Sequence, residues 1–295
     1  MPSPWLHRYS LLLAGCTLCL VVAGALVTSN EAGLSVPDWP LSYGKLMPEM
    51  TGGIFYEHGH RMVATTVGFL TIILAVWIAR SDNRRWLRRL GWGALGAVIV
   101  QGTLGGLTVI FLLPKPVSIT HACLAQLFFS TTVSIALFTS RSWAEGASQL
   151  DDNPGFPSIR WMAFEVPGVL FLQVFLGAAF RHKALALVPH ILGGVLATAV
   201  VLSASYHVLL RFRDHVPLRR AILAVATTTM TQLFLGIAAF MARVATSQAP
   251  QPMPVMVAWT VAHVAVGSLA LASGVVFGIQ VLRYVRPSRL GYVTA

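Results

Sequence analysis

Residues 60–79 read HRMVATTVGFLTIILAVWIA, from His60 to Ala79. After Arg61 no residue of this stretch is charged, and an α-helix needs about 20 such residues to cross a hydrocarbon core of about 30 Å. The stretch reads as a membrane span with an imidazole at one end. Seven further spans are expected at 11–29, 90–113, 118–140, 162–180, 187–210, 220–242 and 255–282. Over the 295 residues, 56% are hydrophobic and 11% charged, with mean hydropathy +0.71. A water-facing surface needs more charge than that, so a soluble domain is excluded. The first span is too long for the apolar core of a cleaved signal, and seven others follow it, so it is expected to be retained. The fold class is an all-α integral membrane protein of eight transmembrane helices.

A net charge of +11 suggests nucleic acid only until the basic residues are placed between the spans. Arg8, Arg80, Arg84, Arg85, Arg88, Arg89, Arg141, Arg160, Arg211, Arg213, Arg219, Arg220, Arg283, Arg286 and Arg289 share the N-terminal side, 15 of 21 Lys and Arg. By the positive-inside rule that side is cytoplasmic, both termini lie there, and the even-numbered spans start outside. The partner of these arginines is then the lipid bilayer, with its anionic headgroups, and no nucleic acid. No cysteine falls in an outer loop: Cys16 and Cys19 lie in the first span and Cys123 in the fourth. The Cys16, Cys19 spacing suits a redox pair, but within an apolar helix two small buried thiols explain it.

The polar stretch 141–160, RSWAEGASQLDDNPGFPSIR, divides the spans into two groups of four. The expected organisation is an N-terminal half at 1–145, a cytoplasmic linker at 146–160 and a C-terminal half at 161–295, the halves forming pseudo-symmetric four-helix bundles. Their sequences are related. A Q-x-x-L-G motif recurs in spans three, five and seven, at Gln101–Gly105, Gln173–Gly177 and Gln232–Gly236. Each even span carries a histidine in its outer part, His60, His121, His190 and His263, and the residue four later is Ala64, Ala125, Gly194 or Gly267. Positions i and i+4 share a helix face. A small residue there leaves room for a flat ligand beside the imidazole, or lets helices pack closely.

Ionisable groups in a membrane are costly and usually functional, and neutral imidazole is a common transition-metal ligand. Four in register point to two haems, one per half, over single interhelical hydrogen-bonders. Zinc is disfavoured because most of these histidines lack a neighbouring cysteine or carboxylate. The halves differ at Tyr56-Glu57-His58-Gly59-His60-Arg61, which places a carboxylate three residues before one histidine only. Glu57 on that face serves as a general base or stabilises a cation; the alternative is an acid placed to suit the helix dipole. His58 lies about 200° around the helix from His60 and is not expected to be a ligand. Arg61, Arg181, Lys183 and Arg243 either meet haem propionates or anchor at the interface. His182, His207 and His215 read as interfacial, and Glu165 as the partner of an inner-loop arginine.

The segment Gly33-Leu34-Ser35-Val36-Pro37-Asp38-Trp39-Pro40-Leu41-Ser42-Tyr43-Gly44, followed by Glu57, His60 and Arg61, resembles the haem A synthase family, which includes mitochondrial cytochrome oxidase assembly proteins. The resemblance extends over essentially the whole chain. It implies oxidation of the C8 methyl group of haem O to a formyl group, with water as oxygen source, giving haem A for haem-copper oxidases. It implies that His60 and His121 flank the substrate haem, that His190 and His263 hold a haem b cofactor with its iron, and that Glu57 is catalytic. A haem O synthase, which is a farnesyltransferase, would supply the substrate; a haem-copper oxidase or its assembly factors would receive the product; the electron acceptor is unidentified. Where some members carry a cysteine pair in the first outer loop, this chain has Ser35 and Ser42, so a thiol-dependent step is not available here. The short N-terminus lacks an Arg- and Ser-rich transit segment and fits a bacterial cytoplasmic membrane. Two other readings stay open: a dihaem b-type electron-transfer protein, which leaves Glu57 unexplained, and a non-catalytic haem-carrying assembly factor, which does not need two complete ligand pairs.

Overall fold

The computed structural model describes residues 3–145, 150–152 and 158–286; most of the linker at 146–160, and Arg289, lie outside them. Eight long helices follow one another: α1 (Pro4–Ser29), α2 (Gly52–Ser81), α3 (Arg85–Ile110), α4 (Lys115–Thr139), then after the one-turn α5 (Arg141–Ala144), α6 (Ile159–Arg181), α7 (Leu187–Arg211), α8 (Val216–Ala245) and α9 (Pro254–Tyr284). All eight are long and apolar enough to cross a membrane. The all-α membrane class therefore holds. Two two-residue strands, β1 (Leu150–Asp151) and β2 (Val285–Arg286), pair in parallel and tie the linker to the end of α9.

Where the expected ends differ from the observed ones, local chemistry explains the difference. The second span was expected from His60, yet α2 begins at Gly52. Hydropathy stops at the run Tyr56 to Arg61, but its polar groups are satisfied by the preceding loop, so the helix continues outward. The third span was expected to reach residue 113, yet α3 ends at Ile110 because Leu112 and Leu113 adopt φ of 56° and 59° ahead of Pro114. That left-handed pair cannot continue a helix. Inside the spans, Thr17, Thr71 and Ser134 donate to the carbonyl four residues back, which satisfies hydroxyls where lipid offers no partner.

Packing follows one order in both groups. α1 packs on α2, α2 on α3, α3 on α4 and α4 on α1; α6 packs on α7, α7 on α8, α8 on α9 and α9 on α6. Each group is a closed ring of four in which the histidine-bearing helices are diagonal. Between groups, α1 meets α9, α4 meets α9 and α4 meets α6.

The dense apolar cores sit at one end of each ring. One joins Leu6, Leu13, Leu74, Ile78, Leu87 and Ile135; the other joins Ile159, Val166, Val208, Leu218, Ile222, Phe277 and Val281. These are the starts of odd spans and the ends of even spans, the basic end of the molecule. The histidines lie at the opposite end, where the four rings are half-buried.

Candidate functional site

Each histidine is seated against the preceding span by a glycine. A methyl group placed on Gly24 of α1 would lie 3.1 Å from Cε1 of His60; on Gly105, 3.2 Å from His121; on Gly177, 2.9 Å from His190; on Gly236, 3.0 Å from His263. Real Cβ atoms essentially never come as close as the Gly177 value and seldom as close as the other three, so glycine is what lets the ring lie on the neighbouring helix. Three of these glycines end the Q-x-x-L-G motif. The fourth, Gly24, was missed because its helix has Leu20 where the motif has glutamine; a shortened pattern, glycine alone in an odd span, was the only signal. Gly177→Ala should press on the His190 ring and lower the unfolding temperature in detergent by the equivalent of about 1–3 kcal/mol. Gly168→Ala on the same helix meets nothing within 4 Å and should be tolerated.

The motif's glutamine completes the seat. Gln101 Nε2 donates to the His121 carbonyl at 3.0 Å and lies 3.5 Å from His121 Nε2; Gln173 Nε2 donates to the His190 carbonyl at 2.9 Å; Gln232 Nε2 is 3.0 Å from His263 Nε2. The space beside the small i+4 residue is where these amides lie. A methyl group on Gly194 would meet Gln173 Nε2 at 3.2 Å, and one on Gly267 would meet Gln232 Nε2 at 3.0 Å. At those two positions the small residue serves the glutamine, a role the sequence pattern did not show.

The pairs converge across their rings of helices. His190 and His263 have ring centres 6.1 Å apart at an interplanar angle of 86°, and His121 lies within electrostatic reach of His60. With metal–nitrogen bonds of about 2 Å, a single iron between two imidazoles holds their centres roughly 6 Å apart. Four Nδ1 atoms and the Oε1 atoms of Gln101, Gln173 and Gln232 are buried with no hydrogen-bond partner. Repeated orphan groups at equivalent positions call for a partner. The backbone carbonyl one turn before each glycine, of Leu20, Gln101, Gln173 and Gln232, lies beside the ring. A carbonyl there favours the proton on the nitrogen that faces it and leaves the other as a lone-pair donor, as metal-binding histidines require. These residues fit bis-histidine haem once the Gln232 amide moves off His263 Nε2, because an iron there takes the lone pair to which that amide donates.

Among the described residues, only the α2 histidine has a carboxylate one turn before it on its own helix. Glu57 is 4% exposed; its Oε2 accepts the Val36 N–H at 2.8 Å and its Oε1 the Arg61 guanidinium at 2.6 Å. Arg61 also donates to the carbonyls of Asp38 at 2.7 Å and Leu41 at 2.8 Å. Glu57 stands in the second turn of α2, which lessens the helix-dipole explanation. His58 turns to the loop, its Nδ1 2.8 Å from Ser42 Oγ, and Trp39 lies against Gly106 of α3. The first outer loop is thus fastened over the His60 end by Glu57, Arg61, His58 and Trp39. Val36, Asp38 and Ser42 were not singled out by sequence for this role, because their contribution is a backbone group or a loop contact.

Asp38 stabilises the turn that carries this loop. Its carboxylate accepts the N–H of Tyr43 at 2.6 Å and of Gly44 at 2.8 Å, and the Gly44 N–H above all holds its pKa below the usual carboxylate value. A depressed native pKa gives stability that is present above the unfolded value of about 3.9 and is lost as pH falls through the native one. The Tyr43 and Gly44 amides should therefore stay protected from hydrogen exchange at neutral pH and lose protection only under strong acid. Asp38→Asn should loosen them already at pH 7.

Of the outer cations, Arg181 donates to Ser29 Oγ at 3.2 Å, linking the two groups. Arg243 lies over the Phe180 ring at 5.5 Å, and Phe180 stacks on His190 at 6.4 Å and 7°. Arg181 and Arg243 are close enough to repel, with Glu31 nearby. His182, at the end of α6, has its pKa lowered by burial and then by Arg181; it lies near His121. Lys183 follows in the left-handed region at φ 57°. Of the remaining residues, His207 is buried and His215 packs edge-on against Tyr284 at 4.6 Å. Glu165 is exposed on α6 and, among the described residues, makes no ion pair; the expected inner-loop partner is not there because the carboxylate faces outward.

Comparison with known proteins agrees with this arrangement. A family model described as cytochrome oxidase assembly protein matches residues 7–54 and 49–281. The chain is 32% identical over 183 residues to the haem A synthase of Symbiobacterium thermophilum, 60% of this chain and 59% of that one. It is 26% identical over 181 residues to the haem A synthase of Alkalihalophilus pseudofirmus, 60% of each, and 28% identical over 140 residues to that of Caulobacter sp. strain K31, 43% of this chain and 41% of that one. The matched part thus spans about 60% of the first two relatives' length. With a family match running through six of the eight long helices entire and almost all of the other two, this chain belongs to the cytochrome oxidase assembly protein family.

Proposed function

We propose that this protein is a haem A synthase that oxidises the C8 methyl group of haem O to a formyl group. One observation carries the reading: four seats built alike around four histidines, of which only that of His60 has a buried carboxylate one turn away. The bis-histidine pair without a carboxylate, His190 and His263, holds haem b, which supplies a one-electron redox centre. The pair His60 and His121 takes the substrate.

The overall conversion is CH3 plus H2O to CHO plus four electrons and four protons. Two additions of water give a geminal diol, which dehydrates to the aldehyde. Glu57 stabilises positive charge developing on the methyl carbon and accepts a proton from the attacking water, roles for which a positioned carboxylate typically contributes about 10²–10⁴-fold. Arg61 and the Val36 N–H hold the carboxylate in place. The fastened outer loop covers the site and limits access of bulk water. Arg181 and Arg243, mutually repelling and only partly offset by Glu31, suit the propionates, as does Lys183. By the positive-inside rule the haem sites face outward from a bacterial cytoplasmic membrane. A haem O synthase supplies the substrate, a haem-copper oxidase or its assembly factors take the product, and an electron acceptor completes the balance.

The test is expression with a haem O supply, followed by chromatography and mass analysis of extracted haems. Haem A or its hydroxylated precursor is expected. Two haems bound with neither product formed would instead identify a dihaem b-type electron-transfer protein.

A further inference from the structure

The first, third, fifth and seventh spans, α1, α3, α6 and α8, all end at the histidine-bearing end of the molecule. The pairs of residues that close them are Asn30-Glu31, Phe111-Leu112, His182-Lys183 and Thr246-Ser247. Three pairs are polar; the α3 pair is apolar, with Phe111 62% and Leu112 74% exposed. Helix closure does not call for leucine there. In α1, α3 and α6 the second residue of the pair is left-handed, Glu31 at φ 54°, Leu112 at 56° and Lys183 at 57°. In each case its N–H bonds to the carbonyl three residues back, and the next N–H to the one five residues back. Glycine or asparagine suits that position and a bulky apolar side chain does not. Hydrocarbon does not account for Leu112 either: a carboxylate and an ammonium occupy the same position in α1 and α6, which puts that level at the polar surface of the membrane.

The apolar helix end adjoins the N-terminal pair of histidines. Gly105 of α3 seats His121, and Trp39 of the first outer loop, 43% exposed, lies against Gly106. Leu113 meets the start of the same loop, where a methyl group on Gly33 would be 3.5 Å from its Cδ2. Turn and loop therefore form one surface. Among the described residues, every exposed large hydrophobic side chain in the outer connections belongs to the N-terminal half except Leu185. We propose that Phe111, Leu112 and Trp39 form a subsite for the isoprenoid chain of the substrate, and so select haem O over haem b for the site between His60 and His121. The subsite presupposes that those two histidines take the substrate. Haem O carries the farnesyl chain that its synthase adds and haem b has none, so the two haem sites need to differ in this respect. The outer end of the C-terminal half offers Arg181, Lys183 and Arg243 instead. A chain laid on Phe111 and Leu112 takes apolar surface of both partners out of water.

The test uses the full-length protein with its haem b in place, titrated in one detergent with haem O or with protohaem, which lacks the chain. Filling of the N-terminal site is followed by its Soret band. The double variant Phe111→Asn, Leu112→Asn has a residue suited to the left-handed position. It should lower the preference for haem O over protohaem roughly tenfold, the order expected for the loss of one apolar side-chain contact, and leave protohaem affinity unchanged. Leu185→Asn, at the same end of the other half, should leave the preference as it was. An unchanged preference in the double variant, equal weakening of both haems, or the same loss in Leu185→Asn would overturn the subsite and leave the site reading intact. Filling of the site that is indifferent to both His60→Ala and His121→Ala would refute the site reading, and the subsite with it. If the double variant does not fold, Leu112→Asn alone should lower the same ratio, and an unchanged ratio there overturns the subsite.

Discussion

Glu57→Gln should abolish formation of haem A and its hydroxylated precursor, a loss of at least about 10²-fold, while both haem sites still fill. The glutamine keeps the shape and can still accept the Val36 N–H, now 2.8 Å from Oε2, so the loop stays fastened. What it removes is the negative charge. Alanine is a poorer probe: besides the charge it would remove both oxygens, leaving the Val36 N–H and the Arg61 guanidinium without the acceptors that fasten the loop. Haem extracted from membranes, resolved by chromatography and mass, is the measurement. Product from Glu57→Gln at anything near the unsubstituted level would remove the carboxylate from the mechanism.

His263→Ala and His190→Ala should each eliminate the low-spin b-type absorption spectrum. Their rings meet at 6.1 Å, and with one imidazole gone a haem iron between them keeps a single protein ligand and changes spin state. His60→Ala should leave that spectrum in place and remove substrate binding instead. Reduced-minus-oxidised spectra and pyridine haemochrome counts of the purified variants decide it. A b-type signal that survives in His263→Ala but disappears in His121→Ala would exchange the roles of the two halves.

Much of the architecture was legible because lipid imposes a simple rule. A run of about 20 apolar residues has one stable form in a bilayer, so eight runs gave eight helices, and the even placement of four histidines marked one end of the molecule. Helix ends were less legible. The outer turns of α2 are polar in sequence, and only their bonds to the loop, Glu57 to Val36 and His58 to Ser42, show that helix continues there. The small residues at Gly194 and Gly267 suggested space for a flat ligand; the structure puts glutamine amides beside them. Sequence could register that Gln101, Gln173 and Gln232 recur but not what they touch, since a repeat does not specify its neighbour.

By itself, then, the sequence determined the span count, the spacing of the four histidines and the one carboxylate at His60, each fixed by local hydropathy or position along a single helix. Tertiary structure alone decided the ring order that sets α2 opposite α4 and α7 opposite α9, the glycine seat that includes Gly24, and the bonds from Glu57 and Arg61 to Val36, Asp38 and Leu41 that fasten the first outer loop. These depend on which helix faces which, and that is set by packing between segments far apart in the chain.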